Sequence, residues 1–404
     1  MDIKKIREDF PILQGKEEGE APIYFDNACM TLKPEPVIKA IVDYYRNYPG
    51  CGGRSIHRIA SEVTAKYENA REEVASFLNA GLPEEIVFTK NTTEGINLVA
   101  NSLNFEKGDI VLTTDREHNS NLVPWHIAVK RKGIMHKVVP SNEDNTFNLE
   151  KFKEMMSKRV RLVSMVHTSN LDGYTIPAKE IIEVTHDYGA LVLLDGAQSA
   201  AHRKVDLRAL DVDFFACSVH KMMGPTGMGI LYGKEHLLES LDAFIVGGDT
   251  VSSTYYDRSY FLNAPEKFEA GLQNYAGVAG TEAAVKYLKN IGPEEVHRHE
   301  VELNTYLTKE MKEIEKVKII GPEEPKERGG ITSFVVEGVD AHDIALVMDE
   351  IANVMMRSGM HCVHSWFHAK RIKGSARVSF YIYNTKREVD IFLEHFKNYV
   401  EKFG

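Results

Sequence analysis

Short apolar runs alternate with longer amphipathic stretches from about residue 86 to residue 233. Near-continuous apolar strands separated by helix-length segments are typical of βαβ units, in which helices cover both faces of a mainly parallel sheet. The pattern therefore predicts a large three-layer α/β/α domain. The predicted strands are Ile86–Thr89, Asp109–Thr113, Ile134–Val139, Val160–Val166, Ala190–Asp195, Asp213–Ser218 and Met228–Tyr232.

The pattern changes after about residue 285, where helical stretches become longer and more charged. This order of elements predicts a smaller α+β domain. We place the large domain at residues 21–285 and the small domain at residues 1–20 and 286–404. The segments behind this assignment are a helix from Pro293 to about Glu315, strands Ile331–Val336 and Ala376–Ile382, and a last helix from about Lys386.

Composition and charge narrow the class of protein. The chain has 404 residues and a net charge of −10, which argues against a nucleic-acid or membrane-surface binder, since either needs a basic face. No apolar run approaches the roughly 18 residues of a membrane span, and the amino terminus lacks the apolar core of a secretory signal. Four separated cysteines disfavour a disulfide framework and a structural zinc site. We therefore expect a reduced, cytoplasmic enzyme.

Polar residues follow several predicted strands at the point where each strand ends. They are Asn91, His118, Asn170, Asp195 and Ser218. Ligands bind outside the carboxyl ends of the strands in sheets of this kind. We therefore expect these residues to share one pocket.

Lys221 and Asp195 are the leading candidates for chemistry in that pocket. A lysine held at a strand end can be desolvated, which makes its amine a usable nucleophile, although a surface loop lysine is the alternative. Asp195 ends an apolar strand, and a buried carboxylate needs a cationic partner. Pyridoxal phosphate enzymes supply one, because they pair the pyridine nitrogen with an Asp while a Lys binds the cofactor. A metal-binding Asp195 is less favoured, since no second ligand lies at a suitable spacing.

The segment Asn91-Thr92-Thr93 leads from a strand into a helix that we expect to begin near Ile96. Free N–H groups, the helix dipole and two hydroxyls at such a place suit a phosphate. The motif alone is weak, because a threonine at a helix start is often only an N-cap.

Several sequence blocks, in one order, resemble the SufS-type cysteine desulfurases, which belong to the class V aminotransferase group of fold-type I pyridoxal phosphate enzymes. The resemblance runs nearly end to end, and it implies the fold-type I transferase architecture with a smaller second domain. The blocks that carry it are Tyr24–Ala28, Thr92–Asn97, Glu117–Asn119, Asp195–Gln198, His220-Lys221 with Gly224–Gly227, and Arg377–Thr385.

The resemblance implies a role for each residue of the expected pocket. Lys221 would bind pyridoxal 5'-phosphate covalently, Asp195 would pair with its ring nitrogen, and His118 would stack on its ring. Gln198 would hydrogen-bond the phenolic oxygen. The remaining implied roles are phosphate binding by Thr92, Thr93, Ser218 and His220, and binding of the substrate carboxylate by Asn170 and Arg377, the latter as a bidentate clamp.

Cys362 distinguishes a cysteine desulfurase from the aminotransferases and lyases of the same fold, which need no cysteine. It lies in Arg357-Ser358-Gly359-Met360-His361-Cys362, which resembles the SufS-type pattern R-x-G-x-H-C. We expect Arg357 and His361 to lower the pKa of its thiol toward the reactive thiolate. A packing cysteine is the alternative for Cys362, and we interpret Cys29, Cys51 and Cys217 as structural.

Two features qualify this interpretation. His361, Cys362, His364 and His368 are crowded enough to suggest zinc, but the His364/His368 spacing needs a helix, and bulky Trp366 and Phe367 disfavour a resident metal there. A metal shared transiently with a partner is the alternative that stays open. The family usually has a threonine at the position of Leu272, where it reaches the phosphate in the neighbouring subunit, so that contact is expected to be missing or replaced.

The resemblance predicts an L-cysteine desulfurase that releases L-alanine and leaves a persulfide on Cys362. A sulfur-acceptor protein or cluster scaffold for iron–sulfur or thio-cofactor assembly would take the sulfur, and the enzyme would be a homodimer whose sites border Arg54–His57 and Gly271–Asn274. The alternatives are a selenocysteine lyase or another class V lyase or aminotransferase that does not need Cys362, and a non-catalytic sulfur carrier or scaffold. The last is disfavoured because Lys221 and Asp195 are both present.

Overall fold

The computed structural model of the chain describes residues 1–14 and 21–403, so residues 15–20 and 404 of the predicted small domain lie outside it. The helices are α1 (Ile3–Glu8), α2 (Glu35–Asn47), α3 (Arg58–Leu78), α4 (Thr92–Ser102), α5 (Val123–Lys132), α6 (Leu149–Met155), α7 (Ala178–Asp187), α8 (Ser199–His202), α9 (Leu207–Leu210), α10 (Glu235–Ser240), α11 (Tyr275–Ile291), α12 (Pro293–Lys312), α13 (Ala341–Ala352), α14 (His364–Lys370) and α15 (Lys386–Phe403). The strands are β1 (Ile23–Tyr24), β2 (Ile86–Thr89), β3 (Ile110–Thr114), β4 (Met135–Val139), β5 (Val160–Val166), β6 (Leu191–Asp195), β7 (Phe214–Ser218), β8 (Gly229–Gly233), β9 (Val251–Thr254), β10 (Ser259–Phe261), β11 (Val317–Ile320), β12 (Ile331–Val336), β13 (Val354–Met355), β14 (Arg357–Gly359) and β15 (Ser375–Ser379).

The seven predicted strands form one sheet in the order β2-β8-β7-β6-β5-β3-β4. The pairs among β7, β6, β5, β3 and β4 are parallel, whereas β8 runs antiparallel to both β7 and β2. The prediction of a mainly parallel sheet is therefore confirmed, and the strand bounds agree within one residue.

Alternate residues of the strands pack on opposite faces of this sheet. On β6, for example, Leu193 packs with Trp125 of α5 on one face, whereas Val192 and Leu194 pack with Ile181 of α7 on the other. Helices α4 and α5 cover the first face, and α3, α7 and α11 cover the second. This arrangement confirms the predicted three layers.

A second sheet, antiparallel and four-stranded, has the order β11-β12-β15-β14. Its core is formed with apolar residues of α12, α13 and α15. Ile23 and Phe25 pack in this core, and β1 pairs with β13 of the same unit. The sequence analysis places these two residues in the large domain, and the division of the chain into domains stays a prediction. No helix of the described residues is both long and apolar enough to span a bilayer.

Candidate active site

One cavity of about 230 Å³ collects every predicted site residue, a volume that suits a small ligand and excludes a macromolecule. Most of its wall comes from the carboxyl ends of the parallel strands, as the pattern predicts. The rest comes from β15, from β14 with the turn that follows it, and from the segment Ala28-Cys29. The predicted residues in the wall are Thr92, Thr93, His118, Asn170, Asp195, Gln198, Ser218, His220, Lys221, Cys362 and Arg377.

Lys221 ends a short 3₁₀ turn, Val219–Lys221, directly after β7. Its side chain is buried at the cavity floor, and within the described part of the chain its Nζ has no hydrogen bond or ion pair. Burial lowers the pKa of Lys221, while the nearby Asp195 carboxylate raises it. The result is an amine that has no partner in the described residues and whose pKa lies below its usual value.

Asp195, the last residue of β6, lies in the same floor and is only 3% exposed. Burial raises the pKa of Asp195, and a hydrogen bond to its carboxylate from the N–H of Ala197 at 3.0 Å opposes this. Gln198 follows on the next turn, where its Nε2 donates to the carbonyl of Ala28 at 2.7 Å. The carboxylate of Asp195 is thus left facing the cavity with room for a cationic partner.

The N-terminus of α4 opens into the cavity. The helix begins at Thr92, four residues before the predicted start near Ile96, because the Asn91 side chain accepts from the N–H of Glu94 at 3.0 Å and caps it. Thr92 Oγ1 lies 2.6 Å from Ser218 Oγ. Thr93 Oγ1 lies 2.7 Å from Ser120 Oγ. Hydroxyls and helix N–H groups are therefore gathered at one end of the cavity, as a phosphate requires.

Gly229 of β8 allows this helix start to approach the sheet. A Cβ at this position would lie 2.4 Å from Cα of Asn91 and 2.6 Å from its carbonyl carbon and nitrogen. Only a residue without a side chain leaves room for the Asn91 backbone.

His118 follows β3, and its ring tautomer is set by a local contact. Its Nδ1 accepts from the backbone N–H of Ser120 at 3.1 Å. Burial lowers the pKa of His118 to about 3, and the nearby Lys221 contributes to the lowering. The ring is therefore neutral near pH 7 and carries its proton on Nε2.

Arg377 of β15 brings a cation into the cavity from the four-stranded unit. It is 2% exposed. Its Nη1 donates to the carbonyl of Asn170 at 2.9 Å, and its Nη2 lies 3.3 Å from Asp26 Oδ1. Asp26 also lies 3.7 Å from Arg357 Nη1. One carboxylate thus orients both guanidinium groups beside the pocket, a role that the sequence analysis does not assign to Asp26.

Cys362 sits on a strained turn. Both His361 (φ 48°) and Cys362 (φ 59°) occupy the left-handed region, which is costly for residues other than glycine. Asn170 Nδ2 donates to the carbonyl of His361 at 2.7 Å, and the N–H of Asn119 donates to the carbonyl of Cys362 at 2.8 Å. These two contacts hold the turn against the cavity.

The expected cationic surroundings of Cys362 are only partly present. The ring of His361 bonds to Ser375 Oγ at 2.8 Å, and burial lowers the pKa of His361 to about 2, so this ring is neutral. Arg357 lines the cavity but lies 3.7 Å from the sulfur of Cys29. His361 is therefore a buried anchor of the turn rather than a source of charge.

The histidines after Cys362 lie on a helix, α14, which the sequence analysis does not predict. Its Trp366 and Phe367 are buried and fix its orientation. His364 Nδ1 lies 2.9 Å from Asn119 Nδ2. No group of three or more His, Cys, Asp or Glu side chains in residues 1–14 and 21–403 is arranged to hold a metal ion.

Cys29 and Ser120 also line the cavity, although the sequence analysis treats Cys29 as structural and assigns no role to Ser120. Cys29 follows the block Asp26-Asn27-Ala28, so its proximity to a family motif was the available signal. Leu272 does not contribute to this cavity, and its side chain is 71% exposed.

Comparison with known proteins gives consistent results. The family Aminotransferase class-V matches residues 23–392. A probable cysteine desulfurase of Synechocystis sp. is 40% identical, over 99% of this chain and 96% of its own length. The apo structure of a cysteine desulfurase from Thermococcus onnurineus NA1 superposes with a TM-score of 0.94 at 36% identity, covering 99% of this chain and 98% of that one. A cysteine desulfurase of Escherichia coli superposes with a TM-score of 0.92 at 32% identity, covering 100% of both chains.

Proposed function

Since this chain belongs to the class V aminotransferase family and, within it, to the cysteine desulfurases, we propose that Lys221 binds pyridoxal 5'-phosphate and that Cys362 accepts the sulfur of L-cysteine. The observation that carries the proposal is the placement of Cys362, on its strained turn, in the same cavity as Lys221, Asp195 and Arg377. A lyase that does not use a thiol has no need of that placement.

The residues present fit the proposed cofactor. The free Nζ of Lys221 suits a covalent link, the buried carboxylate of Asp195 suits a protonated ring nitrogen, and the start of α4 with Ser218 and His220 suits a phosphate. When bound, the cofactor supplies an electrophilic carbon for the substrate amine and a ring that accepts electrons from the substrate's α-carbon.

Lys221 acts on the substrate proton, and His118 stays neutral beside it. Once the substrate amine has replaced it, Lys221 has a free Nζ whose pKa burial lowers, and this amine takes the proton from the substrate α-carbon. His118 is neutral and offers a flat ring with an N–H at Nε2, so it adds no charge to the site.

Arg377 and Asn170 hold the substrate carboxylate. The guanidinium of Arg377 is buried and its Nε has no partner within the described residues, so an incoming carboxylate meets an oriented and desolvated donor. Asn170 has a second N–H besides the one given to His361. Both donors lie on the side of the cavity that carries the Cys362 turn.

Cys362 completes the reaction. Its thiolate sulfur bonds to the sulfur of the substrate while the substrate's carbon–sulfur bond breaks. The carbon fragment takes up a proton and leaves as L-alanine, and the sulfur remains on Cys362 as a persulfide. The overall reaction converts L-cysteine and a thiol into L-alanine and a persulfide, and it needs no external oxidant or reductant.

We further propose that the persulfide passes to an acceptor protein or cluster scaffold, as in iron–sulfur or thio-cofactor assembly, and that the enzyme acts as a cytoplasmic homodimer. Exposed apolar side chains support the dimer, among them Ile56, Tyr256 and Leu272. A net charge of −10 is consistent with small-molecule and protein partners rather than nucleic acid or membrane.

The deciding experiment incubates the holoenzyme with L-cysteine and measures alanine, sulfide and protein persulfide together. Wild type should form alanine and a persulfide on Cys362. Cys362→Ala should still change the visible spectrum on addition of L-cysteine, because Lys221, Asp195 and Arg377 are intact, yet carry no persulfide and release alanine at least 100-fold more slowly. Alanine release at the wild-type rate from Cys362→Ala would contradict the proposal and favour a general lyase.

A further inference from the structure

The peptide group that leads into Lys221 is held by an unusual number of donors. The carbonyl oxygen of His220 accepts from the N–H of Thr31 at 3.2 Å, from Thr31 Oγ1 at 3.1 Å and from Lys33 Nζ at 2.9 Å. Because this carbonyl belongs to the peptide bond between His220 and Lys221, these contacts fix the plane from which the Lys221 side chain departs.

Thr31 also holds the chain on the other side of Lys221. Its Oγ1 accepts from the N–H of Met223 at 2.9 Å. Met223 has φ 62°, a left-handed conformation that a methionine adopts only when its surroundings impose it. Thr31 is itself 2% exposed. A single buried hydroxyl therefore bridges the carbonyl just before Lys221 and the N–H two residues after it.

Lys33 is half-buried, and no acidic partner in the described residues accounts for its position. Within residues 1–14 and 21–403 its Nζ meets no carboxylate at ion-pair distance and bonds instead to the carbonyls of Thr31 (2.5 Å) and His220. Burial lowers the pKa of Lys33 to about 7. Removing an ammonium from water without a counter-charge is unfavourable. The position of Lys33 therefore serves its hydrogen bond to the His220 carbonyl.

We propose that Thr31 and Lys33 are positioning residues for Lys221: they fix the backbone on both sides of it, so that its Nζ points into the cavity without a side-chain partner of its own. This inference rests on the proposed role of Lys221 as the cofactor-binding lysine. It explains how an amine that makes no hydrogen bond or ion pair in the described structure is nevertheless held at one place.

The test uses the full-length chain titrated with pyridoxal phosphate, reduced with borohydride and mapped by mass spectrometry for the pyridoxyl label. Thr31→Val removes the hydroxyl at constant shape, and Lys33→Met removes the donor at similar length. Each should weaken the apparent affinity for the cofactor at Lys221 at least fivefold. Thr31→Ser and Lys33→Arg should restore it, and Lys39→Met on the exposed side of α2 should match wild type.

Thermal unfolding of each variant separates positioning from loss of fold. Wild-type labelling of Lys221 in both Thr31→Val and Lys33→Met would overturn the inference. So would a loss that follows the unfolded fraction and is not restored by the conservative variants. Absence of label on Lys221 in the wild-type chain would instead overturn the proposed function, so the two failures are distinguishable.

Discussion

Unpartnered polar atoms gather around the cavity. Asn170 Oδ1, Gln198 Oε1, His361 Nδ1 and Arg377 Nε are buried without a hydrogen-bond partner in the described residues, although buried polar atoms are normally paired. Each belongs to a side chain that another contact already holds in place. The cavity is therefore polar and rigid before any ligand enters, which is what pre-organised binding requires.

The protonation state of His118 gives a prediction at this scale. A pKa of about 3 lies below the ordinary value of about 6.5, so the ring of the folded chain should stay neutral from pH 8 to pH 5. Ring-nitrogen NMR should show no titration of His118 in that range, with the proton on Nε2, whereas the urea-unfolded chain should titrate near 6.5.

The lowered pKa of His118 also makes the stability of the folded chain depend on pH. Below about pH 6.5 the unfolded chain binds a proton at this ring and the folded chain does not, so stability falls as the pH falls. Acidification from pH 7 to pH 5 should therefore cost wild type about 1–2 kcal/mol more than His118→Gln, measured by urea unfolding. A midpoint for His118 between pH 5 and pH 8 would contradict both expectations.

Sequence alone could predict the candidate site residues, which stand at strand ends or inside family blocks, and the structure brings these candidates together in one cavity. It could not predict Thr31 or Lys33 as contacts of the site, and the block Tyr24–Ala28 gave no sign that its Asp26 contacts Arg377. These residues precede α2 and reach Arg377 or His220 only through tertiary folding. Their separation of nearly 200 residues or more from those partners leaves no local pattern to detect.

At the scale of the elements, strands such as β2, β5 and β6 of the large sheet were predictable because they are buried on both faces and therefore largely apolar. The direction of each strand was not predictable from the sequence, since the antiparallel strand β8 is as apolar as its neighbours. Strands β11 and β14 escaped prediction because they are short and only partly buried. Their place is fixed by pairing with β12 and β15 rather than by their own composition.

The close approach of β8 to the start of α4 leads to a second prediction. Gly229→Ala places a Cβ against the Asn91 backbone, and overpacking of this kind typically costs about 1–3 kcal/mol. Unfolding free energy should fall by that amount, and affinity for pyridoxal phosphate should fall at least threefold as α4 moves away from Ser218. Gly248→Ala is the matched control, because no atom lies within 4 Å of its Cβ and its φ is ordinary. An unchanged affinity in Gly229→Ala would show that the helix start is not part of the phosphate site.

The turn that carries Cys362 gives a third prediction. Asn170→Asp replaces the donor to the His361 carbonyl by an acceptor, which repels that carbonyl and releases the strained turn. Alkylation of Cys362 by iodoacetamide should become at least threefold faster in the resting enzyme, and the KM for L-cysteine should rise. Asn101→Asp, on the exposed surface of α4, should leave both quantities unchanged. An alkylation rate equal to wild type would show that Asn170 does not hold the turn.

At the scale of the whole molecule, the cavity joins the two sheets. Its floor belongs to the large sheet, whereas Arg377 and the Cys362 turn belong to the four-stranded unit. The segment from Asn27 to Lys33 connects the two, since Asn27 Nδ2 donates to the Ser379 carbonyl at 2.7 Å while Lys33 reaches the carbonyl of His220. Relative motion of the two units would therefore change the distance between the cysteine and the lysine.

The proposed homodimer would bury a surface that the single chain leaves exposed. Ile56 is 97% and Leu272 is 71% exposed, and their segments are neighbours: Arg54 pairs with Asp249 at 2.5 Å, and the N–H of Gly271 donates to the carbonyl of Gly248 at 2.8 Å. Large apolar side chains that are this exposed on neighbouring segments are typical of an interface.

Ile56→Asp and Leu272→Asp would each place a charge in that interface without disturbing the core of the chain. Both variants should shift the sedimentation profile from dimer toward monomer at micromolar concentration, because an unpaired charge buried between subunits is strongly unfavourable. Phe403→Asp, equally apolar and exposed but at the end of α15, should remain dimeric. A monomeric wild-type chain with full desulfurase activity would contradict the dimer. If Ile56→Asp and Leu272→Asp both remain dimeric, the interface lies on another face of the molecule.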